Sequence, residues 1–216
     1  MTYSEKSNAA YRLLPPSFYL EEDVVGLARQ LLGKILVTEI DGQVCRGRIV
    51  ETEAYRAPDD RACHAWNNRR TSRTEIMFAP GGHAYVYLCY GIHHLFNVVT
   101  GPPDQAHAVL VRGLEPLQNV AAMLERRGLD ALRPQLTAGP GVLSQAMGIK
   151  TSLNGVFLAD PNSPIRLETD GVTWSDAQIR TGTRVGVESA GRCALRPWRF
   201  SVRKNRWVSP RAGAGE

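Results

Sequence analysis

The sequence is poor in several features that define whole classes of protein. Its four cysteines are widely scattered and form no CxxC pair: Cys45, Cys63, Cys89 and Cys193. This usage favours free buried thiols over disulfides and matches no close-spaced zinc pattern. No apolar run approaches the ~20 residues that a membrane-spanning helix needs, and residues 1–17 contain no apolar core like that of a signal peptide. We therefore expect a protein that is not secreted, in a cytosolic setting.

Signature motifs of common enzyme classes are also missing. There is no GxSxG nucleophile motif, no P-loop, and no cysteine in a recognisable nucleophile context. His93 and His94 are adjacent on a predicted strand, so they would point to opposite faces, a poor geometry for binding one metal ion. We expect neither a metal site nor a cofactor.

Positive charge is plentiful by contrast, and it is unevenly placed. The net charge is +5, and residues 196–211 carry no acid but six cations: Arg196, Arg199, Arg203, Lys204, Arg206 and Arg211. Another cluster comprises Arg69, Arg70 and Arg73. Two interpretations stay open, a solvated strand face with a basic tail and a surface that contacts phosphates, for which nucleic acid is the obvious polyanion.

The order of predicted elements indicates one domain. Strand-like segments outnumber helix-like ones without a regular alternation of strand and helix. This favours the α+β class, in the form of a single compact domain with a mainly antiparallel curved sheet and flanking helices. We expect this domain to span residues 19–209, between a flexible arm at residues 1–18 and a flexible tail at residues 210–216.

Local patterns place several elements. Apolar residues recur at helical spacing over residues 24–32, with Gly33 as a stop. Two strand-like runs flank Asp41-Gly42, a strong hairpin signal. Further predictions are a hairpin over residues 83–100 that turns at Gly91, a strand from residue 106, a helix over residues 116–127 and a short helix after the glycine-rich residues 137–141.

The second strand of the Asp41-Gly42 hairpin ends in ETEAY. A period of two places four side chains on one face: Ile49, Glu51, Glu53 and Tyr55. Carboxylates and an aromatic ring then share a strand end, a position suited to lining a site. The next residues, PDDRACHAW, predict one or two helical turns that begin near Asp59 or Asp60, and residues 66–82 predict a long exposed loop.

The 83–100 hairpin is rich in aromatic residues. Tyr85 and Tyr87 share one face, whereas Tyr90 lies on the other face directly before the turn. We therefore expect Tyr90 to project outward. Such glutamates and tyrosines are more often structural than functional, so the residues alone leave open a nucleic-acid-binding protein and a hydrolase that acts on nucleic acid.

Eight motifs between residues 20 and 209 resemble the alkyladenine (3-methyladenine) DNA glycosylase family. They occur in the family's order: LARQLLGKILV, GRIVETEAY, DDRACHAW, RTSRTEIMF, GHAYVYLCYGIHHLFNVVT, AVLVRGLEPL, GPGVLSQAMGI and RPWRFSVRKNRWVS. The resemblance implies a monofunctional DNA N-glycosylase of base-excision repair, without lyase activity. Its partner would be double-stranded DNA with damaged purines of the 3-methyladenine type, with hypoxanthine and ethenoadenine as further candidates.

The resemblance also implies a setting for the protein. It would act as a monomer without an obligate protein partner, and away from membranes. It would lie in the cytoplasm with the nucleoid in a bacterium, or in the nucleus of a eukaryote. The alternatives are a catalytically weak nucleic-acid-binding protein of the same fold and, more distantly, a pocket for a small nucleoside.

Carried over residue by residue, the resemblance assigns roles. Glu53 would be the catalytic glutamate and Arg112 an arginine beside the reacting nucleotide. The base pocket would be formed by Tyr55, His64, Tyr87 and Asn97, with Asn97 excluding a guanine-type amine. A protruding hairpin would insert Tyr90 and Ile92 into DNA. Contacts with the DNA backbone are expected from the basic clusters: Arg69, Arg70, Arg73, Arg199, Arg203, Lys204 and Arg206.

Three departures from the family pattern are expected to affect contacts with the DNA backbone, the order of a loop or the insertion of the hairpin tip, rather than chemistry. Many members have a lysine in place of Val142 and an asparagine in place of Thr74, and the Ile92-His93-His94 tip is a variation.

Overall fold

Nine strands form one sheet in the computed structural model, which describes residues 11–210. The strands are β1 (Arg12–Leu13), β2 (Ile35–Ile40), β3 (Gln43–Arg56), β4 (Ala84–Cys89), β5 (His93–Thr100), β6 (His107–Gln118), β7 (Ile165–Thr169), β8 (Ile179–Gly182) and β9 (Arg199–Val202). The main path runs β1-β7-β2-β3-β6-β5-β4, with β9 pairing with β3 and β8. Every pairing among these strands is antiparallel.

Three α-helices of the described chain pack beside the sheet: α1 (Val24–Gln30), α2 (Val120–Arg127) and α3 (Pro140–Met147). Short 3₁₀ helices, such as Trp66–Asn68 and Glu75–Phe78, fill several connections. The predicted α+β class and the single compact domain are confirmed. None of these helices is long and apolar enough to cross a membrane, within the part of the chain that the structure describes.

Helix α1 shows how the local sequence sets an element. The Asp23 side chain accepts hydrogen bonds from the backbone N–H groups of Val25 and Gly26 at 3.1 and 3.0 Å, which satisfies the unpaired donors of the first turn. The predicted apolar stripe is buried on the sheet.

The Asp41-Gly42 hairpin is also confirmed. Asp41 and Gly42 have φ values of 55° and 70°, the left-handed pair that matches the twist of two antiparallel strands.

The two faces of the sheet carry separate apolar clusters. Ala84, Val86 and Phe96 belong to the main cluster beneath the helices, whereas Tyr85 and Val99 belong to a smaller cluster on the opposite face. The predicted alternation along β4 is therefore confirmed, and the smaller cluster supports the aromatic wall described below.

Three predicted segments differ from the structure. The helix expected over residues 116–127 begins only at Val120, because β6 continues to Gln118 and pairs there with Arg46 of β3. The helical turns expected in PDDRACHAW are tight turns followed by the 3₁₀ helix Trp66–Asn68. The loop expected over residues 66–82 is largely exposed over residues 66–73, but Met77 and Phe78 are buried in the smaller cluster.

The predicted arm is tied down where the structure describes it. Arg12 and Leu13 pair with β7, and Leu14 is buried. The remainder of the arm (residues 1–10) and most of the predicted tail (residues 211–216) lie outside the described residues.

Candidate active site

Strand β3 positions the candidate site because its pairing with β6 is irregular there. The register shifts between Ile49 and Glu51 and again between Glu51 and Thr52, as in β-bulges, which re-aim side chains beside active sites. Glu51 and Glu53 both contact Arg112 of β6, whereas Thr52 bonds to the backbone of α1. The predicted shared face is confirmed for the two glutamates. Ile49 instead lies in the main core, because the bulge interrupts the period of two.

Three groups hold the carboxylate of Glu53, which is completely buried. The Tyr55 hydroxyl donates to Oε2 at 2.7 Å, and the backbone N–H of Val185 donates to Oε1 at 2.8 Å. The Nε of Arg112 lies 3.4 Å from Oε1. All three partners line a cleft, so the carboxylate lies directly behind the cleft wall.

The protonation states follow from this burial. Burial raises the pKa of Glu53 above its ordinary value; the Arg112 charge and the hydrogen bonds from Tyr55 and Val185 oppose that rise, and Glu51 reinforces it. Burial and the Glu53 charge also raise the pKa of Tyr55 well above 10, so its hydroxyl stays a hydrogen-bond donor. Burial acts to lower the pKa of Arg112, but the two carboxylates outweigh it and the pKa is raised.

Glu51 shares Arg112 with Glu53, but its other partners belong to the C-terminal part of the chain. Its carboxylate accepts from Nε of Arg112 at 3.0 Å, from Nε of Arg199 at 2.7 Å and from the backbone N–H of Ser209 at 2.6 Å. The Ser209 segment can approach because Gly113 of β6 has no side chain; a Cβ there would lie 2.6 Å from the Trp207 carbonyl. Glu51 therefore fastens the C-terminal segment to the sheet.

The cleft in front of Glu53 has a volume of about 740 Å³ and an aromatic wall. The His64 and Tyr87 rings meet edge to face, with centroids 4.7 Å apart, and Tyr85 lies 5.3 Å from Tyr87. The Arg73 guanidinium lies 4.7 Å from the centre of the Tyr87 ring. The predicted pocket residues Tyr55, His64 and Tyr87 thus line one cavity.

The contacts of His64 favour one tautomer. Its Nδ1 is 2.8 Å from the Tyr85 hydroxyl, and its Nε2 is 3.4 Å from Nη2 of Arg73. Because a guanidinium only donates, this pattern assigns the ring proton to Nδ1. The His64 ring is partly open to the cavity. Its partial burial and the positive charge of Arg73 lower the pKa of His64 to about 4. His64 is therefore neutral at physiological pH.

Asn97 lies behind this wall rather than in it. Its side chain is 4 % exposed, and its Nδ2 donates to the Tyr85 carbonyl at 3.1 Å. Asn97 pairs with Tyr85, whereas Leu95, two residues earlier on β5, pairs with Tyr87 and lines the cleft. The exclusion of a guanine-type amine by Asn97 stays a prediction.

The β4–β5 turn carries the two predicted intercalating residues. Ile92 N–H donates to the Cys89 carbonyl at 3.1 Å across Tyr90 and Gly91, whose φ values are 51° and 72°. Tyr90 is 89 % exposed and Ile92 71 % exposed. Both side chains are therefore free to contact another molecule; insertion into DNA stays a prediction.

Six of the seven predicted backbone-binding cations lie on the surface, and one of these six is ion-paired. Arg69, Arg73, Arg203, Lys204 and Arg206 are exposed. Arg70 is engaged in surface ion pairs with Glu75 and Asp104.

Arg199 must be reassigned. It is 7 % exposed and its guanidinium is bonded to Glu51, so it cannot reach a phosphate as placed. Its own strand, β9, runs antiparallel to β3, so residues 203–206 lie away from the Glu53 end.

Several residues that contribute to the site are missing from the roles assigned from the sequence. Val185 meets Glu53 across 132 positions of the chain. Arg61 lines the cleft with its guanidinium 5.0 Å from the Trp66 ring. Gly139 and Gly141, from the glycine-rich turn before α3, form another part of the rim. Only the folded chain brings these segments together.

The departures from the family pattern lie at or near this cleft. Val142 lines it, next to Gly141. Thr74 is buried and donates to the Arg69 carbonyl at 2.9 Å, while accepting from the Thr71 N–H at 2.9 Å. Thr74 therefore orders the arginine-rich loop. Asp60, expected at a helix end, instead forms a completely buried ion pair with Arg184.

The fold and the cleft define an α+β protein with a buried carboxylate behind an aromatic-walled cavity. The chain belongs to the Methylpurine-DNA glycosylase family, which it matches over residues 17–206.

Two bacterial relatives align with this chain over nearly their whole length. A protein of Chlamydia pneumoniae is 46 % identical over 189 residues, which cover 87 % of this chain and 94 % of the relative. A protein of Bacillus mycoides (strain KBAB4) is 44 % identical over 202 residues, 90 % of this chain and 98 % of the relative. Both bear the name "Putative 3-methyladenine DNA glycosylase".

Proposed function

We propose that the protein is a base-excision-repair glycosylase that flips alkylated purines out of duplex DNA and hydrolyses their N-glycosidic bond. The family membership and the names of the relatives support an enzyme that acts on N-glycosyl bonds. The observation that carries the mechanism is Glu53, whose buried carboxylate is held directly behind the cleft wall by three residues that line the cleft, Tyr55, Val185 and Arg112.

Glu53 would act as the general base. A carboxylate offers about four lone-pair sites, and the three contacts leave capacity on Oε2 for the proton of a water molecule. The water oxygen attacks C1′ of the sugar while its proton passes to Glu53, and the base departs with the electron pair of the glycosidic bond. The transition state resembles an oxocarbenium ion, so the negative carboxylate also stabilises its positive charge.

The aromatic wall would select the damaged base. An alkylated purine is electron-poor and often cationic, and it binds to aromatic faces by stacking and cation–π attraction. His64 suits this task because its pKa of about 4 keeps it neutral and removes a repulsive charge. Arg73 covers one face of Tyr87 in the free protein, so a base that stacks there must displace it or use the space beside it.

The hairpin tip would open the duplex. The reacting atoms of a base are inaccessible inside the stack, and extrusion costs a few kcal/mol. Tyr90 and Ile92 are exposed apolar groups at a turn held by the Ile92–Cys89 backbone hydrogen bond. Such a wedge compensates for the lost stacking.

We expect no lyase activity, and the placement of the described lysines supports this. A lyase needs an amine that forms a Schiff base with the sugar. Lys34, Lys150 and Lys204, the lysines within residues 11–210, do not line the cleft. Treatment with borohydride during turnover should therefore trap no protein–DNA adduct.

Duplexes that each carry one lesion test the proposal. Incubation followed by alkali should cleave the strand at alkylated purines and leave undamaged duplex intact. Glu53→Gln should reduce the single-turnover rate by ~10²-fold or more, since it removes the general base, while lesion-duplex affinity is retained. Glu168→Gln is the matched control, because Glu168 is a buried carboxylate paired with Arg46 and lies on β7, two strands away from β3.

A catalytically weak DNA-binding protein of the same fold is the second candidate. The exposed cations of the 69–73 loop favour it as much as they favour an enzyme. Binding to every duplex without strand cleavage at any lesion, and without an effect of Glu53→Gln, would establish that alternative.

A further inference from the structure

Glu53 depends on a donor from a part of the chain that has no regular structure. Val185 lies between β8 and the 3₁₀ helix that starts at Glu188, and its neighbours Thr183 and Gly186 are exposed. Loops of this kind are mobile unless something fastens them. The N–H of Val185 is nevertheless 2.8 Å from Oε1 of Glu53.

Arg184, the residue next to Val185, is the buried anchor of that loop. Its guanidinium donates to the Ala54 carbonyl at 2.8 Å and to the Cys193 carbonyl at 2.9 Å. It also forms a two-pronged ion pair with Asp60, with 2.8 Å between Nη2 and Oδ1, and both side chains are fully excluded from solvent. Asp60 in turn accepts from the Ala62 N–H at 3.1 Å.

The same guanidinium contacts the second donor to Glu53. It lies 4.8 Å from the centre of the Tyr55 ring, whose hydroxyl bonds to Oε2. Ala54, whose carbonyl it binds, is the residue between Glu53 and Tyr55. The Arg184 side chain therefore contacts the Ala54 carbonyl and the Tyr55 ring, and Arg184 is also the neighbour of Val185, the other donor to Glu53.

We propose that the Arg184–Asp60 pair is a positioning device that holds the Val185 N–H and the Tyr55 ring on Glu53. A purely structural ion pair would stabilise the fold without affecting the carboxylate. A positioning pair also sets the proton affinity of Glu53, because each donated hydrogen bond favours the charged carboxylate. The inference rests on the proposed function for its catalytic meaning, but its structural core can be measured without activity.

The titration of Glu53 has several other contributors. The charged and titratable groups around it are Arg112 from β6, Glu51 and Tyr55 from β3, Tyr87 from β4, and Arg184 itself. Arg184→Lys retains the positive charge but not the flat fork that bonds to two oxygens at once. A change of titration in this variant therefore reports geometry rather than lost charge.

The chain supplies a matched control. Arg48 forms a two-pronged pair with Asp170, with distances of 3.0 and 2.7 Å, and donates to the Gly33 carbonyl at 2.9 Å. Both side chains are nearly buried. Arg48→Lys breaks an ion pair of the same geometry in the first half of β3, five residues before Glu53, and should leave Glu53 unaffected.

Two measurements decide between the roles. By NMR, the Val185 amide should exchange slowly in the wild type and in Arg48→Lys, and at least about tenfold faster in Arg184→Lys. Single-turnover excision should fall about tenfold or more in Arg184→Lys, with the midpoint of its acid limb at higher pH and lesion-duplex affinity within about threefold of wild type. Adding Asp60→Glu to Arg184→Lys lengthens the carboxylate side chain, so that the ion pair can form again. The double variant should recover part of the slow Val185 exchange and part of the excision rate.

Other results would overturn the inference. These are an unchanged Val185 exchange rate in folded Arg184→Lys, or equal changes in Arg48→Lys. If Arg184→Lys does not fold, Asp60→Asn keeps the guanidinium and its two carbonyl contacts and should show the same changes at smaller size; no change there would equally overturn it. A wild type that excises no lesion refutes the proposed function, while the exchange result still decides the positioning role.

Discussion

Glu51 and Glu53 stand two residues apart and differ in what surrounds them. Glu53 meets two neutral donors and one arginine at a cleft wall, whereas Glu51 meets two arginines and the Ser209 backbone inside the protein. Both residues are glutamates, so their hydrogen-bond partners and their distance from the cleft distinguish them.

The acid limb of excision should reflect Glu53. Burial raises the pKa of Glu53 above the ordinary 4.5, and the base works only when deprotonated. The rate should therefore rise with pH through a midpoint above 4.5 and be lost as the pH falls through it. His64 should contribute nothing near neutrality, because its pKa is about 4. A single-turnover pH profile measures this; a midpoint at or below 4.5 would contradict it.

Glu51→Gln should chiefly cost stability. The substitution leaves Arg112 and Arg199 short of a buried counter-charge, and such losses cost about 3–5 kcal/mol. The melting temperature should fall clearly, while excision below it stays within about tenfold of wild type. Because Glu51 raises the pKa of Glu53, the acid limb should move to lower pH. Calorimetry and the pH profile test this, and an unchanged melting temperature would refute it.

At the scale of elements, the β4–β5 hairpin presents its tyrosines to two different environments. Tyr85 and Tyr87 face the aromatic cluster, and Tyr90 at the turn faces solvent. The turn holds Tyr90 at a positive φ of 51°, which costs a non-glycine residue ~1–2 kcal/mol. A strained, exposed tyrosine that supports no core is consistent with a role outside the folded monomer.

Tyr90→Ala should leave stability nearly unchanged and depress excision from duplex far more than from single strands. Surface changes of this kind usually stay within about 0.5 kcal/mol, and unstacking costs little where the base is already free. Tyr90→Gly should act alike on excision and raise the melting temperature slightly, since it relieves the positive φ. Tyr11→Ala, an exposed tyrosine elsewhere, is the control. Equal losses on both substrates would return Tyr90 to a structural role.

At the scale of the whole molecule, the net charge of +5 is distributed by the fold. Arg199 forms a buried ion pair with Glu51, and Arg70 forms surface ion pairs. Arg69 and Arg73 are exposed on the loop beside the cleft. The arginines after β9 lie farther from Glu53. Proximity to the cleft therefore ranks the candidates for phosphate contact.

Salt dependence should follow that ranking. Arg69→Gln should weaken binding to damaged and undamaged duplex by similar factors and flatten the salt slope by about one unit. The pair Arg203→Gln and Arg206→Gln should act in the same direction but less strongly. Arg70→Gln, whose charge is already paired, should change the slope least. Titrations at several salt concentrations test this, and a loss confined to damaged DNA would show that these residues are not backbone contacts.

The sequence by itself determined the features that depend on near neighbours. The period of two put Glu51 and Glu53 on one face and separated Tyr87 from Tyr90. Asp41-Gly42 specified a turn because few residues adopt two successive positive φ values. These signals depend only on neighbouring residues, so they can be interpreted without knowledge of the rest of the chain.

Only the tertiary structure decided what each of these side chains meets. Val185 reaches Glu53 from 132 positions away, and Asp60, expected at a helix end, is instead paired with Arg184 from 124 positions away. The exposure of an arginine is equally invisible in sequence, so Arg199 was expected on DNA and is found on Glu51. Burial and long-range hydrogen bonding arise when the sheet assembles, because partners distant in sequence become neighbours only then.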